Sequence, residues 1–173
     1  MTSPTPTLWD SFQSAATFSK CRTWRYSLAR TWDVELPAVA FVGLNPSTAD
    51  ETADDPTIRR CVRFARDWDY GGIVMLNLFA YRATDPRDMK AAPDPIGPEN
   101  DTYLRTCASR AGLVVAAWGA HGAYRDRAQE VVDRGLLGNF TVLGLTNGGH
   151  PRHPLYMKAS CRPLNPLTLA AVA

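Results

Sequence analysis

The sequence predicts an α/β fold, a three-layer α/β/α domain around a central four-stranded parallel sheet. Three observations predict it. Short apolar runs recur along the chain and alternate with segments of helical spacing. The runs are mostly apolar rather than alternating, as expected of strands buried on both faces. A strand–helix–strand rhythm implies right-handed crossovers, with helices on both sides of a parallel sheet.

The elements follow in order. Residues 1–6 are Ser/Thr/Pro-rich and predict a loose tail, with residues 1–173 read as one domain. Residues 21–32 (CRTWRYSLARTW) alternate imperfectly; they predict an edge strand or hairpin arm carrying Arg22, Arg25 and Arg30 to one side. AVAFVG at 38–43 predicts the first buried strand. A loop over 44–55 leads to Asp55-Pro56, an N-cap followed by proline at the first helical position. Ile58, Cys61, Val62, Ala65 and Trp68 keep helical spacing until Gly71-Gly72. IVMLNLF at 73–79 predicts the second strand, followed by a long Pro-rich loop over 81–98. A helix at about 99–111, a strand at 113–118 (LVVAAW), a helix at about 124–134 and a strand at 140–145 complete the reading.

Composition narrows the function classes. The 173 residues are 45% hydrophobic and 21% charged, a globular balance. No apolar run approaches the roughly 18–20 residues needed to cross a bilayer, and the N-terminus lacks the pattern of a secretory signal. A cytoplasmic protein with no membrane partner is expected. The net charge of +2 permits a DNA substrate without suggesting one. Cys21, Cys61, Cys107 and Cys161 lie about 40 or more residues apart with no C-x-x-C pair, so free thiols are expected, with no metal and no cofactor.

In an open parallel sheet, ligands bind beyond the carboxyl ends of the strands. Three polar motifs fall there. Gly43-Leu44-Asn45-Pro46-Ser47 lets a ligand approach the backbone and projects Asn45 from a rigid turn. That amide either orients a water, reads a heterocycle edge or caps its own turn. Asn77 interrupts the apolar run MLNLF; burying an amide costs about 1–3 kcal/mol unless it is bonded, either to a neighbouring loop or to a ligand. Gly149-His150-Pro151-Arg152-His153-Pro154 carries two of the three histidines on a Gly/Pro-shaped loop, suited to proton transfer or anion stabilisation. The acidic stretch 50–55 offers oxygens for a metal, but a metal reading needs further ligands.

Together GLNPSTAD, DDPTIRRC, NLFAYRATDP, AAWG and GHPRHPLY resemble family 1643 of the bacterial and phage domains of unknown function, from about Tyr26 to Pro163. More remotely, the pattern is similar to the uracil-DNA glycosylase superfamily. The resemblance implies that fold and a set of roles. Asn45 matches the residue that positions the attacking water, Asn77 the one that reads the base edge, and His150 the one that stabilises the departing base. Trp118-Gly119 matches a strand-end WG pair. Two departures stand out. Arg152-His153-Pro154 replaces the family's Ser-Pro, and no clear wedge is present unless Leu155 or Tyr156 serves.

The expectation is therefore hydrolysis of an N-glycosidic bond releasing a nucleobase, with Asn45 and His150 on facing loops and Asn77 on the pocket floor. Phe79 or Tyr81 would stack on the base, and Ser47, Arg59, Arg60, Arg152 and His153 would contact phosphate or substrate. DNA is the expected partner; the acidic loop after Asn45 keeps a free nucleoside or nucleotide as the alternative. A non-catalytic module binding a nucleotide or modified base is the rival from another class.

Overall fold

A computed structural model describes residues 14–166. The tail expected over residues 1–6 lies outside them. The chain order is β1 (Ser14–Phe18), β2 (Arg25–Thr31), β3 (Ala38–Gly43), α1 (Pro56–Asp67), β4 (Gly72–Asn77), α2 (Pro86–Ala91), α3 (Asn100–Arg110), β5 (Leu113–Ala116), α4 (Arg127–Asp133) and β6 (Thr141–Val142). Among the described residues the sheet has six strands in the order β1-β2-β4-β3-β5-β6.

The sheet is mixed, which corrects the expected all-parallel, four-stranded one. β4, β3, β5 and β6 pair in parallel, while β2 joins β4 antiparallel and β1 joins β2 antiparallel. β2 lies in the segment 21–32 whose imperfect alternation suggested an edge strand or hairpin arm; its partner β1 precedes that segment and was not expected. The imperfection has a cause: Thr17 pairs with Ser27 and Phe18 with Arg25, so Tyr26 is an extra, bulged residue. A bulge re-aims its neighbours. Tyr26 stacks on Tyr103 of α3, with ring centroids 5.0 Å apart, and Arg25 goes to the α1 side.

Two cores flank the sheet. On one face α1 presents Ile58, Cys61, Phe64 and Ala65 to Val39, Phe41, Ile73 and Met75. On the other, Leu104 and Cys107 of α3 and Val131 of α4 pack on Ala40, Val42, Val74 and Leu76. Cys61 and Cys107 therefore sit on opposite faces, and all four cysteines are free thiols. Helix α1 begins as its sequence dictates: the Asp55 carboxylate accepts from the Ile58 amide at 2.9 Å, and proline follows.

Several bounds move. The strand expected over 113–118 is paired only over β5, and that over 140–145 only over β6. Val142 instead exchanges both backbone bonds with Leu164. The loop over 81–98 contains the short helix α2, started by Asp85-Pro86. The helix expected at about 124–134 splits: a 3-10 segment, Ala120–Asp126, ends where Arg125 and Asp126 take positive φ, and α4 starts after it. Among the described residues, no helix is long and apolar enough to cross a membrane.

Candidate functional site

A cleft of about 540 Å³ opens over the carboxyl ends of β3, β4 and β5, on the α1 side. That volume lies in the range of small-ligand sites. Its floor is set by the β3–β4 register. Gly43 stands beside Asn77, and Phe41 beside Met75, so Asn77 continues the face of Ile73 and Met75 where the strand leaves the core. A Cβ on Gly43 would lie 2.8 Å from Met75 Cε and 3.0 Å from Asn77 Oδ1. Glycine leaves this space to the Met75 methyl and the Asn77 amide.

Asn77 is 1% exposed, and its Nδ2 donates to nothing among the described residues. The backbone around it is fixed from the opposite face. Asn100 Nδ2 donates to the carbonyls of Asn77 and Leu78, each at 3.0 Å, and Arg127 Nε donates to the Leu78 carbonyl. Asn100 and Arg127 are buried polar residues that sequence reading missed. Their signal was present, a polar residue on an otherwise apolar helix face, but not which carbonyls they serve.

Asn45 lines the cleft. Its Nδ2 donates to the carbonyls of Ala83 at 2.8 Å and Pro46 at 3.1 Å, tying the 44–47 loop to the 83–86 loop. This orientation leaves Oδ1, an acceptor, as the polar atom not used in that tie. Ser47 also lines the cleft, 3.5 Å from the Thr84 hydroxyl.

The histidine loop divides. His150 is held in a tight turn by mutual bonds with Thr146 and is not among the residues of the cleft wall. His153 is on the wall, with Tyr156. The Gly119 amide bonds the Pro151 carbonyl at 2.8 Å, which brings this loop against Trp118-Gly119, also on the wall. His153 Nδ1 accepts from the Leu155 amide, so a neutral ring carries its proton on Nε2. Burial pushes the His153 pKa down, with Asp55 partly opposing.

The other expected contacts lie elsewhere. Phe79 is buried against Tyr124 in the α3–α4 core. Tyr81 bridges to Trp24 and borders a separate shallow depression. Arg59 donates to the Asp54 carbonyl, Arg60 to that of Met157, and Arg152 to that of Leu145 at 2.8 Å. Arg152 borders a depression that shares His153 and Tyr156 with the main cleft. Leu155 and Tyr156 are exposed, Tyr156 by 80%.

Among the charged and titratable wall residues, Arg25 and His121 had no place in the sequence reading of the site. Of the acidic stretch, Glu51 pairs with Arg22, Asp54 with Arg30, and Asp50 and Asp55 cap backbone amides. Among the described residues no three His, Cys, Asp or Glu side chains converge as metal ligands.

No curated protein and no solved structure gives a match to this chain. The sequence profile of a family described as protein of unknown function, DUF1643, matches residues 25–155. That span holds the strand ends, the loops and the buried floor just described, and the chain belongs to this family.

Proposed function

We propose that this chain hydrolyses an N-glycosidic bond and releases a nucleobase seated in the cleft. One observation carries the reading: the buried Asn77 amide on the cleft wall, whose Nδ2 has no partner among the described residues. An unmade bond of that kind costs about 1–3 kcal/mol. A base edge removes the cost, since the amide offers one donor and one acceptor to a heterocycle's carbonyl and ring N–H. Trp118, Ile58 and Met75 supply apolar wall around it.

The chemistry follows from charge development. Water oxygen bonds to the anomeric carbon as the carbon–nitrogen bond breaks. The electron pair of that bond leaves on the base, which takes up one of the water's protons. The Asn45 Oδ1 accepts from the water and orients it. His153 Nε2–H donates to the base as it becomes anionic, the role that the resemblance assigns to His150. Both contacts strengthen toward the transition state. A base flipped from DNA and a free nucleoside or nucleotide both fit this scheme.

The test is mass spectrometry of free bases released from uracil-containing and modified DNA, RNA, nucleosides and nucleotides. Asn45→Ala and His153→Ala are expected to lower release by on the order of 10²–10³, with a smaller change in binding. Asn77→Asp is expected to change which base is accepted, because the donor is lost. A second reading, a binding module without catalysis, draws on the tie that Asn45 makes to the 83–86 loop. It predicts no base from the wild type and loss of affinity alone in Asn77→Ala. No liberated base from any member of the panel overturns the hydrolase.

A further inference from the structure

We propose that Arg25 is a phosphate-binding residue in this cleft and that the ligand is a free nucleoside monophosphate. The base half of this rests on the reading of Asn77 above; the phosphate half stands on Arg25 alone.

Arg25 is 2% exposed and lines the cleft. Its Nη1 donates to the Ala49 carbonyl at 2.6 Å, and its Nε–H has no partner among the described residues. Its neighbours on the same strand arm are matched by carboxylates: Arg22 by Glu51 at 3.0 Å and Arg30 by Asp54 at 2.8 Å. Arg25 has no such partner among the described residues. A buried guanidinium without a counter-anion is costly, and a site that keeps one is built for an anion that arrives from outside. Burial holds its pKa down to about 10, with Arg82 and Arg30 pushing the same way and the more distant charges of Asp55 and Asp50, neither of them bonded to it, partly opposing; it stays ionised at neutral pH. The bulge at Tyr26 is what turns Arg25 to this side.

The other charged or titratable groups on the wall are Asp55, His121, His153 and Tyr156. Asp55 is held on the Ile58 amide at the start of α1, where the helix dipole offsets its charge. Thr57 places a hydroxyl beside it on the wall. One buried cation matches one phosphate. The rim argues for a mononucleotide over a strand: Asp55 is on the wall with Asp54 just before it, and the exposed Arg87, next to the wall residue Pro86, is already neutralised by Asp85 at 2.6 Å. A strand of phosphates would need a line of free cations across that rim.

Titration calorimetry tests this with five deoxynucleoside 5′-monophosphates (uridine, thymidine, cytidine, adenosine and guanosine series). The matching nucleosides, ribose 5-phosphate and a 20-nucleotide single strand complete the set. At least one monophosphate is expected to bind about 10- to 100-fold tighter than its nucleoside, the range for a charge-assisted bond. Arg25→Gln is expected to close that gap while leaving nucleoside affinity unchanged, and Arg25→Lys to restore part of it. If Arg25→Gln does not fold, the wild-type gap and its loss in competition with inorganic phosphate read the same property. No wild-type preference for the monophosphate overturns the proposal, as does a gap that persists in folded Arg25→Gln. A strand that binds tighter per site than the monophosphate also overturns it. A bound but unhydrolysed monophosphate upholds Arg25 and removes the glycosidase. Arg25-dependent ribose 5-phosphate binding with no discrimination among bases upholds the phosphate site and removes the Asn77 reading. Base release without a monophosphate preference does the reverse.

Discussion

Gly43 and Asn77 act as one unit in the cleft floor, since the absent side chain of one is the space used by the other. Gly43→Ala forces Met75 and the Asn77 amide apart, and overpacking of this kind costs about 1–3 kcal/mol. The expected outcome is a protein that still folds, melts lower and binds base-bearing ligands more weakly, measured by thermal unfolding and titration calorimetry. Unchanged affinity would show that the Asn77 amide does not meet the ligand. The same scale explains the histidines. His150 and His153 share one loop, and residue type alone does not separate them. The bonds between Thr146 and His150 close a turn, and three residues later the chain lies on the cleft wall. Cys21 is a separate case. It is exposed between β1 and β2, away from the cleft wall, and hydrogen bonding with Ser19 and Thr23 holds its thiol down to about 7.

At the scale of elements, the end of β4 is held by helices on the far side of the sheet. Asn100 opens α3 and donates to the carbonyls of Asn77, the last residue of β4, and of Leu78 just beyond it; Arg127 opens α4, donates to the Leu78 carbonyl, and is fixed by Asp101 and Glu130. Asn100→Leu removes this donor from the Asn77 carbonyl, while Leu78 keeps Arg127, at about 1–3 kcal/mol. A fall in melting temperature of several degrees is expected, with weaker ligand binding because the floor loosens. A variant with wild-type melting and binding would show that these bonds do not position Asn77. The β2 bulge works similarly at the opposite edge of the floor, sending Tyr26 to α3 and Arg25 to the cleft.

For the whole molecule, pH separates two windows. Burial lowers the His153 pKa, so as pH falls below the ordinary value of about 6.5 the unfolded chain takes up the proton first. Stability therefore declines from that pH down to the lowered folded value. The carboxylates act at more acid pH: burial opposes ionisation of Asp101, but Arg127 and Arg134 outweigh it and lower its pKa. Its contribution is present above the unfolded value of about 4 and is lost as pH falls through the folded one. Melting temperatures between pH 5.5 and 8 are expected to fall more steeply for wild type than for His153→Asn. Equal slopes would remove His153 from the account.

What the sequence determined by itself is whatever depends on neighbours along the chain. The apolar runs, the Asp55-Pro56 helix start and the Gly/Pro-rich strand ends set the α/β class and put Asn45 and Asn77 at one end of the sheet, because strand alternation and capping are local. The tertiary structure decided what depends on partners remote in sequence. The antiparallel β1–β2 arm, the split of the expected 124–134 helix, the choice of His153 over His150 for the cleft wall and the removal of Phe79 to the far core all follow from contacts across the sheet. Arg25 shows the difference most plainly. In the sequence it is one of three arginines on an arm; in the fold Arg22 and Arg30 find carboxylates and, among the described residues, Arg25 does not. Whether a buried charge is neutralised depends on which groups the fold brings within a few ångströms, and no spacing along the chain encodes that distance.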